Sequence, residues 1–155
     1  MAAQLSAGDV VEDFTLPAHG EGSFRLYAAL ERGPVVLFFY PKDDTPVCIA
    51  EACAFRDRHE VFLSHGAQVV GVSGDSLEKH EAFAGRHDLP YTLLSDVGGK
   101  VRALFRVKKT LGFFDGRVTF VIGTGGKILH AFSSALDARR HVEESLASLE
   151  RLRQS

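Results

Sequence analysis

The chain carries two cysteines, Cys48 and Cys53, within one stretch that reads Tyr40-Pro41-Lys42-Asp43-Asp44-Thr45-Pro46-Val47-Cys48-Ile49-Ala50-Glu51-Ala52-Cys53. Thr45-Pro46 has the form of a helix N-cap followed by proline at the first helical position. Cys48 then falls in the first turn, where backbone N–H groups lack intrahelical acceptors and favour an anion. The thiolate, not the thiol, is the nucleophilic form of cysteine. A second thiol close by suggests that whatever Cys48 becomes on oxidation, Cys53 can resolve. The other reading of Cys53 is a small buried hydrophobe.

Magnitudes sharpen both points. A helix terminus stabilises an anion by about 0.3–1 kcal/mol, up to about 2 when partly buried. One pKa unit corresponds to about 1.4 kcal/mol, so the helix alone lowers a thiol pKa by only about one unit. A cation must supply the rest. His59 lies on nearly the same helix face, but a rise of about 1.5 Å per residue puts it on the order of 16 Å from Cys48. That excludes a local cysteine–histidine pair and leaves an arginine from another strand as the expected cation. Cys48 and Cys53 on an ideal helix have Cα atoms roughly 8–9 Å apart and side chains rotated by about 140°. A disulfide needs Cα atoms within about 7 Å. Either the two never bond, or the helix opens when they do. Zinc ligation is disfavoured, because C-x4-C on a helix suits a tetrahedral site poorly and there is no second cysteine pair.

The elements that position this stretch follow from periodicity. Phe14 and Leu16 flank Thr15 in period two, a short extended segment. Val35-Val36-Leu37-Phe38-Phe39-Tyr40 is an unbroken apolar run, the pattern of a strand buried on both faces of a parallel sheet, ended by Pro41. The helix from Pro46 is predicted to run to about His65, with Gly66 as its stop. Val69 to Val72 is a second buried strand. Ser76 caps a helix to about His87, with Leu77, His80, Phe83 and Ala84 on one face. Tyr91 to Leu94 is a short strand and Gly99 to Phe105 a short helix. Arg117 to Ile122 and Lys127 to Phe132 form a hairpin across Gly123-Thr124-Gly125-Gly126. Asp137 to Leu152 is a closing amphipathic helix. This order predicts an α/β sandwich around a mixed sheet, a single domain over residues 1–155.

Composition agrees with a soluble globular chain and narrows its partners. A formal net charge of -2 with both signs interspersed gives no case for nucleic acid or an anionic membrane as partner. No apolar run is long enough to span a bilayer. Met1-Ala2-Ala3-Gln4-Leu5 lacks the basic flank and apolar core of a secretory signal. Sparse cysteine fits a reducing compartment. The expected location is cytoplasmic, or a plastid if a transit peptide has been removed.

Pro41-x-x-x-Thr45-x-x-Cys48 resembles the peroxiredoxin active-site signature. The longer run from Tyr40 to Asp57 is similar to the bacterioferritin-comigratory-protein or Q-type branch of that family. Gly71-Val72-Ser73-Gly74-Asp75, Leu89 to Asp96, and Gly116 to Ile122 continue the resemblance in order along nearly the whole chain. The resemblance implies a thioredoxin fold, a central mixed β-sheet flanked by helices, and thiol-dependent reduction of hydroperoxides without cofactor or metal. It implies that Cys48 is the peroxidatic cysteine, converted to a sulfenic acid, and Cys53 the resolving cysteine that closes an intramolecular disulfide. Thioredoxin or a similar dithiol would reduce that disulfide. Thr45 would hydrogen-bond the thiolate or peroxide, Arg117 would be the catalytic cation, Pro41 would shield the pocket, and Glu51 would help hold the arginine. A monomer is expected, since an intramolecular resolver needs no partner chain.

Arg117 keeps its charge at any relevant pH and offers a planar donor fork; without the family it reads as a surface strand arginine. Thr45 has one hydroxyl for two tasks, capping the N–H of Cys48 or donating to the thiolate. Glu51 reads equally as an acid complementing the helix N-terminus. Leu111, Phe113 and Phe114 form an apolar segment that would accept organic hydroperoxides, dock a reductant or pack in the core. Val47 stands where the family usually has glycine. A second class remains open, a redox-sensing binding protein switched by the same disulfide. A disulfide reductase is disfavoured because C-x-x-C is absent.

Overall fold

The computed structural model describes residues 3–20, 22–107 and 117–154. Leu111, Phe113 and Phe114 lie outside the described residues. A small antiparallel hairpin pairs β1 (Thr15–Pro17) with β2 (Ser23–Arg25) and leads into the short α1 (Leu26–Leu30). The main sheet is formed by β3 (Val35–Phe39), β4 (Gln68–Ser73), β5 (Thr92–Ser95), β6 (Val118–Ile122) and β7 (Ile128–Ser133). Its order is β5-β4-β3-β6-β7. β3, β4 and β5 run parallel, whereas β6 is antiparallel to β3 and β7 to β6. The helices are α2 (Pro46–Asp57), α3 (His59–Ser64), α4 (Leu77–His87), α5 (Lys100–Leu104) and α6 (Ala138–Gln154).

Every residue of β3 is buried, as an unbroken apolar run on a central strand requires. Its alternate side chains enter two cores. Val35, Leu37 and Phe39 join Val70, Leu94, Phe105, Phe120 and Ile122 on one face. Val36 and Phe38 join Cys48, Ala52, Phe55, Phe62, Val121 and Val142 on the other, so the thiol is part of the core beneath α2 and α6. At the β6–β7 turn, Gly126 has φ +84°, and a Cβ there would sit 2.6 Å from the carbonyl oxygen of Val11. Only glycine allows that approach.

Three differences from the sequence reading have local causes. The long helix after Thr45 ends at Asp57 and restarts as α3, because Arg58 leaves helical geometry (φ -110°, ψ 11°) with no glycine or proline to mark the break. β2 and α1, which go unmarked in the sequence reading, are each five residues or fewer, too short to show a period. Arg117 lies just before β6 rather than within it.

Phe55 supports α2 from below. It is fully buried and stacks on Phe38 with ring centroids 4.5 Å apart. Phe55→Ala should destabilise the fold by about 3–5 kcal/mol, read as a lowered urea midpoint.

Candidate active site

Pro46 occupies the start of α2, and Thr45 has the extended dihedrals of an N-cap. Cys48 is therefore in the first turn, and it is only 1 % exposed. Three residues on, one turn along the same face, Glu51 is fully buried. Arg117 approaches both from the other side of the core. Its Nη2 donates to Cys48 Sγ at 3.2 Å, Nη1 donates to Glu51 Oε1 at 2.7 Å, and Nε donates to the carbonyl of Ala135 at 3.1 Å. Burial alone would lower the pKa of this guanidinium, but the charges of Glu51 and Cys48 outweigh it and hold the pKa above its ordinary value. The cation demanded by the weakness of the helix dipole is thus in contact with the sulfur.

Glu51 is squeezed between opposing effects. Burial raises its pKa to about 7 against the pull of Arg117. Its second oxygen, Oε2, has no hydrogen-bond partner and lies 3.5 Å from Nδ1 of His141. His141, on α6, is also fully buried, and burial pushes its pKa down to about 4.

Cys48 and Cys53 are both free thiols on the intact helix, Cys48 buried and Cys53 half-buried. The unbonded pair is what their spacing on a helix requires. Thr45 departs from expectation. Its hydroxyl donates to the carbonyl of Lys42 at 3.0 Å and makes no capping bond to the helix. The left-handed turn at Asp44 (φ 63°) brings that carbonyl within reach, so in this arrangement the hydroxyl neither caps Cys48 nor donates to its sulfur. Pro41 is half-buried in the loop that joins β3 to α2.

That loop is anchored by groups that the sequence reading missed. Tyr40 donates its hydroxyl to Asp43 Oδ1 at 2.6 Å, the Asp43 N–H donates to Asp75 Oδ2 at 2.7 Å, and Asp43 Oδ2 meets Nδ1 of His80 at 2.7 Å. Asp44 contacts Arg86 on α4. The Asp43, Asp75 and His80 donor atoms lie within 4.8 Å of one another, the metal-like cluster among the described residues. They are engaged: Ser73 also donates to Asp75, and His80 Nε2 donates to the carbonyl of Leu94. His80 sits on the apolar face of α4, and a histidine at a helical core position reads as packing until its partners are seen. His141 is masked in the same way on α6.

The sequence pattern of the AhpC/TSA family matches residues 7–131. The chain belongs to that family. Chloroplastic peroxiredoxin Q from Sedum lineare is 41% identical over 152 residues, which is 97% of this chain and 81% of the relative. The crystal structure of peroxidoxin BcpB from Mycobacterium tuberculosis superposes with a TM-score of 0.89 at 42% identity, covering 96% of this chain and 98% of that one. A Xanthomonas campestris bacterioferritin comigratory protein, studied for alkyl peroxide reduction, gives a TM-score of 0.83 at 25% identity, covering 93% and 99%. The chain is a peroxiredoxin of the Q and bacterioferritin-comigratory branch, with the thioredoxin fold of these enzymes and a thiol peroxidase activity.

In this peroxiredoxin three different nitrogens of one planar guanidinium each serve a separate acceptor, whereas a lysine ammonium has its three donors on one nitrogen and lacks that fork. Arg117→Lys should slow iodoacetamide alkylation of Cys48 at neutral pH by about tenfold, the equivalent of one pKa unit. Alkylation at the wild-type rate would show that the guanidinium does not hold the thiolate.

Proposed function

We propose that the enzyme reduces hydrogen peroxide and organic hydroperoxides through Cys48, that Cys53 resolves the product as an intramolecular disulfide, and that thioredoxin or a similar dithiol recycles it. The observation that carries this reading is the contact of Arg117 with Cys48 Sγ in a buried first turn of helix. A thiolate held there attacks the terminal peroxide oxygen, the O–O bond breaks, and sulfur becomes a sulfenic acid while the departing alkoxide or hydroxide takes a proton. Arg117 Nη2 is in contact with the sulfur, and a fixed cation beside the reacting atom favours a charged transition state. The Thr45 hydroxyl serves the peroxide once it turns away from Lys42. The alkyl peroxide reduction studied in the Xanthomonas campestris relative supports organic hydroperoxides as substrates.

Resolution requires the first turns of α2 to unwind, since the intact helix keeps the sulfurs apart. Anchors bound the opening. Asp43 and Asp44 fix the loop before it, and beyond it Tyr91 donates its hydroxyl to the Ala52 carbonyl at 2.7 Å and Arg56 donates to the His87 carbonyl at 2.8 Å. Cys53 then attacks the sulfenic sulfur and water leaves. The enzyme acts as a monomer in a reducing compartment, the cytoplasm or, as for its chloroplastic relatives, a plastid.

Cys48→Ser should abolish thioredoxin-coupled peroxide consumption, and normal turnover would sink the assignment. Cys53→Ser should retain one stoichiometric turnover and lose recycling by thioredoxin. Unchanged recycling would remove Cys53 from the resolving role.

A further inference from the structure

The peroxidase reading leaves one buried pair unused. Nε2 of His141 lies 2.9 Å from the carbonyl oxygen of Ser134, which can only accept, so that nitrogen carries the hydrogen. Nδ1 of the neutral ring is then a lone pair, and the Thr119 hydroxyl donates to it at 2.8 Å. Glu51 Oε2 faces the same lone pair at 3.5 Å with no donor of its own. Thr119 already fills the one lone pair of Nδ1, so the orphan is Oε2, which is costly to bury unless it holds a proton that shares this lone pair with the Thr119 hydroxyl. On the other side of Glu51, one guanidinium serves both Glu51 and Cys48. With both acids ionised, the buried site carries two negative charges against one positive.

We propose that Glu51 and His141 form a proton-holding pair behind Arg117, in which Glu51 takes a proton on Oε2, facing His141 Nδ1, when Cys48 gives one up. Where Glu51 is otherwise ionised, above about pH 7, the buried site then keeps one negative charge, on Glu51 while Cys48 is a thiol and on Cys48 while it is a thiolate. Glu51 and His141 are positioning residues, since neither touches the peroxide. The step balances: Cys48–SH with Glu51 carboxylate becomes Cys48 thiolate with Glu51 carboxylic acid. When sulfur becomes the neutral sulfenic acid, Glu51 releases its proton and the departing alkoxide or hydroxide takes one up, so no outside acid is consumed. The titratable and charged groups facing the pair are Arg117 ahead of β6, Cys48 on α2, Tyr91 ahead of β5, and Asp137 ahead of α6. Tyr91 is held neutral, its pKa raised by burial and by the Glu51 charge.

The shifted pKa values fit this arrangement. His141 is held to about 4 against an ordinary 6.5, so its contribution to stability is present above 6.5 and lost as pH falls through 4. Glu51 is raised to about 7 against 4.5, so its contribution is present below 4.5 and lost as pH rises through 7. Between 4.5 and 6.5 the two slopes oppose each other. Counted over these two groups alone, folding there moves one proton from histidine to glutamate.

The inference rests on Cys48 as the attacking thiol, but its test needs no peroxide, so the two can fail separately. In a Cys53→Ser background, the pH midpoint of Cys48 alkylation by iodoacetamide is compared among variants. Glu51→Gln, which cannot ionise, should lower the midpoint by about one unit, within the range for removal of a neighbouring like charge. His141→Asn, whose amide N–H can donate to Oε2 and favour the carboxylate, should raise it. By reciprocity, Cys48→Ser should lower the pH at which the infrared band of the buried carboxylic acid disappears, by the same amount that Glu51→Gln lowers the thiol midpoint. Melting temperatures provide the further readout: between pH 4.5 and 6.5 stability should climb with pH in Glu51→Gln and decline with pH in His141→Asn. An unmoved alkylation midpoint in Glu51→Gln, or shifts of one sign in both variants, would overturn the proposal in favour of a packing role.

Discussion

Arg117 is buried with its guanidinium between Cys48 Sγ and Glu51 Oε1, and a group that keeps its charge at every relevant pH must be balanced there. Unit charges about 4 Å apart interact by about 4 kcal/mol at an effective dielectric near 20, against about 0.3–1 kcal/mol for a helix terminus. The arginine therefore dominates the electrostatics of the thiol, and the helix start mainly supplies position. What positions the arginine is the sheet. β6 pairs antiparallel with β3, so the residue just before Val118 emerges beside the end of β3 at Phe39, next to the loop that leads to Cys48. The segment after β7 completes the frame: the Ala135 carbonyl accepts from Arg117 and the neighbouring Ser134 carbonyl accepts from His141.

The second constraint is mechanical. α2 places Cys48 against the arginine and, by the same regularity, keeps Cys53 out of bonding reach. A helix that served only the first purpose could be rigid throughout. Here rigidity is concentrated on either side of the segment. Asp43 is tied to Tyr40, Asp75 and His80, and the C-terminal half of α2 rests on Phe38 through Phe55 and on Tyr91 through the Ala52 carbonyl. Between them the first turn has a proline, an N-cap hydroxyl that makes no capping bond and a half-buried Val47, and is tied to the core through Cys48 and its contact with Arg117.

Much of this is legible in the residues. The apolar run of β3, the Thr45-Pro46 start of α2 and the Ser76 cap of α4, whose hydroxyl accepts from the Lys79 N–H, are local signals, and the structure carries each of them. The need for a distant cation follows from magnitudes, and Arg117 is where the resemblance to the family places it. The direction of the Thr45 hydroxyl is not legible, because it depends on a carbonyl turned inward by a left-handed Asp44. Neither is the break at Arg58. The histidines are the harder case. His80 and His141 fall at core positions of amphipathic helices, where spacing alone reports burial and says nothing of the carboxylates across the gap, Asp43 and Glu51.

In the proposed cycle the electrostatic and mechanical constraints meet at the sulfenic acid. While sulfur is a thiolate, its attraction to Arg117 stabilises the first turn of α2. Oxidation to a neutral sulfenic acid removes that attraction, and Glu51, on losing its proton, becomes the stronger partner for the guanidinium. The ion pair then belongs wholly to Glu51, which lies at the edge of the part of α2 held by Tyr91 and Phe55. In that cycle, chemistry at sulfur weakens the turn whose unwinding would let Cys53 approach. Reduction of the disulfide returns a thiol, and ionisation of that thiol restores the contact that closes the helix. On this reading the same guanidinium that favours attack on peroxide also times the opening that follows, because its two acidic partners sit one turn apart on a helix that Tyr91 and Phe38 hold beyond the second.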